Sequence, residues 1–192
     1  MERRQIQVVV AFDFTPSAEA ALERAVDVAA RAPEHVLHVI TAVASGGTVK
    51  VDEDQDILYE TPADHIHQLV TARIAAAFAT RATAEDTKFF VHARVGRPAR
   101  EILSLAKEVG ADLIFIGSEG RVGVGRLLLG SVSEQVVREA HCPVMVVRPK
   151  TYEDVELSKI VAYEHERLPY VPPHRYTYTN GVIVRPRDWP LG

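Results

Sequence analysis

One cysteine, Cys142, stands in a chain of 192 residues, so no disulfide can form within it, and a reducing compartment, the cytoplasm, is the expected location. Basic residues are not in excess: 22 Lys and Arg face 26 Asp and Glu, a formal net charge of -4. That balance argues against a nucleic-acid binder or a protein of anionic membrane surfaces. No apolar run approaches the roughly 18 residues that a membrane-spanning helix needs. The opening "MERRQIQVVVAFDF" sets basic residues before a short apolar stretch that Asp13 interrupts, and it reads as a first strand rather than a signal peptide. Metal-ligand spacing is also missing. His65 and His67 would face different sides of a helix, with no cysteine nearby, and His141-Cys142 reads as a helix end and a buried thiol. Neither a G-x-S-x-G elbow nor a Cys–His signature marks a nucleophile.

Apolar residues make up 47% and charged residues 25%, the balance of an ordinary globular domain with a real core. "IQVVVAF" (6–12) is a continuous β-branched run, as in a strand buried on both faces. Ala21, Leu22, Ala25, Val26 and Ala29 follow at helical spacing, with Thr15 as N-cap and Pro16 at the first helical position. The pattern then predicts strand 35–43, a polar, acidic loop over 45–63, helix 64–84, strand 87–95 and helix 98–109. Strand 112–117, a glycine-rich stretch, helix 132–140 and strand 143–148 complete it. Strands alternating with helices imply an α/β fold with a parallel sheet and right-handed crossovers. After Lys150 the composition changes: the remaining residues hold five of the six tyrosines, five of the eleven prolines and the only tryptophan. Residues 1–150 are therefore expected to form one domain, and 151–192 a separate arm. Asn180-Gly181, between two β-favouring segments, predicts a β-hairpin there that packs on the core or on a partner subunit.

"GSEGRVGVGRLLLGS" (117–131) holds five of the eleven glycines, between a buried strand and a helix. There, glycines allow close backbone approach, and the next helix offers free N–H groups to phosphate. Two phosphate loops fail on the residues. A Walker A loop needs lysine and a hydroxyl where "GRVGVGRL" (120–127) has Arg126 and Leu127, and "GVGRLL" (123–128) lacks the third glycine of a dinucleotide fingerprint. The spacing present is Gly117-x-x-Gly120, nine residues, then Gly130-Ser131.

That spacing is similar to the G-2x-G-9x-G-[ST] motif of the universal stress protein family. With "DFTPSAEAAL" after the first strand, "LHVI" in the second, and "LLLGSVSEQVV" and "CPVMVV" at the end, the chain resembles that family from residue 5 to about 149. The resemblance implies a doubly wound, five-stranded parallel sheet in the order 3-2-1-4-5. In such sheets ligands sit at the carboxyl ends of the strands, where the winding reverses. Asp13 and Gly117 end strands 1 and 4, so they should face one crevice.

The resemblance also implies an ATP site built from Ala11, Phe12, Asp13, Val39, Ile116, Gly117, Glu119, Gly120, Arg121, Gly130, Ser131, Val132 and Ser133. Ala11 and Phe12 would line the base pocket, and the main chain of Val39 would hold adenine. Ser131, which with Glu134 also reads as a capping box, would contact phosphate. Asp13 either closes the turn before the first helix or meets the ligand, there through a possible Mg²⁺. Glu119 departs from the histidine common in the family, and its charge opposes phosphate; Arg121 and Arg126 partly offset it. No general base is aimed at a γ-phosphate, so at most slow hydrolysis or autophosphorylation is expected, with no catalytic residue assigned. The expected function is an ATP-binding, dimeric regulatory or stress-response module, paired through strand 143–148. Two alternatives remain: an ATP-independent dimeric interaction protein, and an ATP-using transferase or adenylating enzyme. The SGGxDS-like loop of related nucleotide α-hydrolases is replaced here by "FDFTPSAEAA".

Overall fold

The computed structural model describes residues 4–31, 33–52, 55–58, 61–79, 87–118 and 129–149. The elements run β1 (Ile6–Ala11), α1 (Pro16–Ala29), β2 (His35–Val43), β3 (Thr48–Asp52), β4 (Gln55–Leu58), α2 (Ala63–Ala79), β5 (Lys88–Val95), α3 (Pro98–Val109), β6 (Leu113–Gly117), α4 (Ser131–Glu139) and β7 (Val144–Val147). Glu119, Gly120, Arg121, Arg126 and the arm with its expected hairpin lie outside the described residues.

Five strands form one parallel sheet in the order β5-β2-β1-β6-β7. Counting its members along the chain gives the expected 3-2-1-4-5. The β1 segment "IQVVVA" sits at the centre, and its period of two feeds both faces. Val8 and Val10 pack with α1 and α2, through Ala21, Leu22, Val26, Ile66 and Val70. Val9 and Ala11 pack on the opposite side with Ile102 and Leu105 of α3 and Val136 of α4. Val8, Val9 and Val10 are fully buried, each stabilising the fold by about 1.5–3 kcal/mol relative to exposure.

Local signals fix the helix ends. Thr15 is extended and its side chain accepts the Ala18 N–H, with Pro16 at the start of α1. Gly110 closes α3 in the left-handed region at φ 62°, a backbone that favours glycine.

Two expectations are corrected. The segment 45–63 is not all loop: β3 and β4 form an antiparallel hairpin, with Val49 opposite Ile57 and Lys50 opposite Asp56. Its polar composition hides a short alternation in which Val49 and Val51 face the core. Ser131 is not the cap of α4. Gly130 is the N-cap, extended at φ -61° and ψ 149°, and its carbonyl accepts the Glu134 N–H at 2.8 Å. Ser131 is thus the first helical residue, and Glu134 stands one position too late for a capping box.

Candidate functional site

At the carboxyl ends of β1 and β6, where the winding changes direction, the chain leaves a crevice of about 840 Å³. It contains most of the expected residues: Ala11, Phe12, Asp13, Ile116, Gly117, Gly130, Ser131, Val132 and Ser133 all line it. Val39 does not. It lies between Val10 and Val91 in paired strands, with its side chain fully buried in the core, and the strand turns to the crevice at Ile40 and Ala42 instead. A strand residue with neighbours on both sides commits its backbone groups to the ladder.

The β1–α1 turn is set by Asp13. Its Oδ1 accepts the Thr15 hydroxyl at 2.6 Å and the Thr15 N–H at 3.2 Å, and Thr15 Oγ1 in turn accepts the Ala18 N–H at 3.3 Å. The carboxylate thus closes the turn and lines the crevice together. Between them Phe14 takes φ 64°, left-handed and unusual for a bulky residue. It is held there by burial and by an edge contact with Phe12, the ring centroids 4.7 Å apart.

Backbone contacts clamp the glycine-rich stretch at both ends. Ser118 N–H donates to Val147 O, Gly130 N–H to Ser118 O at 2.9 Å, and the buried Ser133 hydroxyl to Gly117 O at 2.7 Å. Ser133 therefore spends its hydroxyl on the fold. Gly117 lies against the first turn of α1: an added Cβ would sit 2.5 Å from Ser17 Oγ, 2.8 Å from Ser17 C and 2.9 Å from Ala18 N. Glycine at this position is a matter of close approach.

The start of α4 carries no side-chain cap hydrogen bond. The first N–H groups of a helix have no partner within it, and here Ser131, Val132 and Ser133 all border the crevice. The sequence reading omitted the hairpin's contribution, Gly47, Thr48, Val49 and Lys50, and that of α3, Pro98 and Ile102. The alternation of Val49 and Val51 with Thr48 and Lys50 was the signal for the first. Among the described lining residues Asp13 and Lys50 alone are charged.

No described helix is long and apolar enough to cross a membrane. Comparison with known proteins bears on the same region of chain. YxiE, a universal stress protein of Bacillus subtilis, is 34% identical over 151 residues, covering 74% of this chain and 98% of YxiE. The universal stress protein MJ0531 of Methanocaldococcus jannaschii is 46% identical over 67 residues, which is 34% of this chain and only 39% of that protein's length. A solved universal stress protein in complex with cAMP superposes with a TM-score of 0.55 at 28% identity, over 76% of this chain and 98% of that one. Residues 7–148 match the profile of the universal stress protein family, and the chain belongs to that family.

Proposed function

We propose that the crevice binds an adenine nucleotide, ATP with Mg²⁺ in the first place, and that the protein acts as a dimeric regulatory module rather than a fast enzyme. The observation that carries this reading is the beginning of α4. Gly130 caps it without a side chain, so the free N–H groups and positive dipole end of the helix meet the crevice, as phosphate binding requires. Ala11, Phe12, Ile40 and Ile116 supply an apolar wall for a base. The relative solved with cAMP supports the same ligand class.

The residues fit Mg²⁺ delivered with the nucleotide. Mg²⁺ keeps several waters and needs only one or two carboxylates beside phosphate oxygens. Asp13 would supply one oxygen while Oδ1 stays on Thr15. Among the described residues no group of three or more metal-ligating side chains exists, which suits a cation arriving on its ligand. The described lining contains neither histidine nor cysteine, and its one carboxylate is tied into a turn. That favours binding over turnover.

Titration calorimetry with Mg·ATP tests the reading, with Gly130→Val as the variant. Gly130 is extended, a backbone that valine adopts without strain, so the fold should persist by circular dichroism. The added side chain crowds the phosphate position, and affinity should fall at least tenfold, roughly 1.4 kcal/mol. No binding by the unaltered protein overturns the proposal.

A further inference from the structure

The hairpin gives the crevice something that the nucleotide-binding strands and helices do not. Val49 is 3% and Val51 7% exposed, and both pack in the core with Val39 and Val43 of β2 and Ile66 and Val70 of α2. The hairpin is therefore anchored to the domain rather than hanging from it. Gly46, at φ 73°, and the Gly47 N–H bond to Ala44 O fold the chain back from the end of β2 so that β3 starts beside the crevice. Thr48, Val49 and Lys50 of β3 all line the crevice, and of the three Lys50 alone is charged.

We infer that Lys50 is a specificity-determining contact for the ligand's phosphates, making the crevice favour nucleotides with two or three phosphates over AMP, cyclic mononucleotides and adenosine. This rests on the nucleotide-binding reading above. Asp13, the other charged residue of the described lining, opposes a polyanion. Lys50 cancels that charge; without it the described lining is net negative. An ammonium on a four-carbon stem reaches from an exposed strand position to a phosphate as a mobile point charge. Its attraction grows with the number of charges on the ligand, whereas the α4 N–H groups can serve a single phosphate. The hairpin is thus the part of the site that distinguishes ligands by charge.

The experiment is calorimetry of the full chain with ATP, AMP and adenosine, at low salt with Mg²⁺, for the unaltered protein, Lys50→Gln, Lys50→Arg and Lys50→Glu. Lys50→Gln should weaken ATP about fivefold, the size expected of one exposed charge contact, and leave adenosine unchanged within about twofold. Lys50→Arg should retain ATP, Lys50→Glu should lose more than Lys50→Gln, and the loss should shrink as salt screens it. If Lys50→Gln weakens ATP and adenosine equally, the hairpin matters through packing and the inference is overturned; it is equally overturned if ATP affinity does not change. Failure of the unaltered protein to bind any of the three removes the nucleotide-binding reading itself, a separate result.

Discussion

His38 is the clearest case of a residue whose chemistry is set by its place in the sheet. It is buried on β2, between β5 and β1, its Nε2 2.8 Å from Gln7 Oε1 and its Nδ1 3.1 Å from His92 Nε2 of β5, with the Phe90 ring stacked on it. Burial first, and then the neighbouring His92, lower its pKa from 6.5 to about 4. Burial also lowers His92, helped by Arg94 and opposed by Glu108, which reaches in from α3 to bind Arg94. The unfolded chain therefore takes up protons that the folded one refuses between about pH 6.5 and pH 4. Stability should be complete above pH 6.5 and fall as the pH drops through that window, by about 2 kcal/mol after allowance for partial solvent screening. Urea denaturation across pH 4–8 measures it. His38→Asn should flatten the profile, and an unchanged slope in that variant would show that other groups carry the dependence.

Gly117, the last residue of β6, packs against the start of α1, and its requirement concerns how closely the two approach. A methyl at that position meets the backbone of Ser17 and Ala18 inside 3.0 Å, atoms that cannot move without displacing the start of α1. Gly117→Ala should cost about 1–3 kcal/mol in thermal or chemical denaturation. Gly46→Ala is the useful comparison, since nothing lies within 4 Å of its Cβ position and only its φ of 73° is at stake. If the two variants cost the same, the close contact at Gly117 is relieved by small shifts.

The same elements mark how far the sequence could be read. Strands β1, β2 and β6 were legible because strands buried on both faces demand nearly continuous apolar runs, the edge strands β5 and β7 because short β-favouring runs stand between helical segments, and α1 because Thr15-Pro16 start it unambiguously. The crevice was legible at Asp13 and Gly117 because strand ends and winding order locate it. The hairpin was not, because four alternating residues beside an acidic run carry too little periodicity to outweigh polar composition. Nor was the Gly130 cap, since a serine followed three residues later by glutamate is the commoner start of a helix, and only the backbone angles decide between adjacent candidates. Val39, which the motif alone singled out, is not among the described lining residues: a motif gives position along a strand but not which backbone groups the neighbouring strands already hold.

A five-stranded open sheet has two edges, and this chain leaves apolar side chains exposed at both. At β7, Met145 is 44% exposed; at β5, Phe89 is 39% exposed. Uncovered edges with apolar side chains invite pairing with another chain. The proposed dimer uses β7, where a second copy of the same strand, related by a two-fold axis, would extend the sheet and cover Met145. Light scattering should then give about twice the chain mass of 21.2 kDa. A lysine at the seam would face its own copy across the axis, so Met145→Lys should yield a folded monomer at micromolar concentration. Phe89→Lys, equally exposed but on the opposite edge, should leave the dimer intact. Reversal of these two outcomes would move the interface to β5, and a monomer in the unaltered protein would remove it. Because both substitutions place a charge on an exposed strand position, any general loss of stability should affect them alike, and the difference between them reports the interface alone.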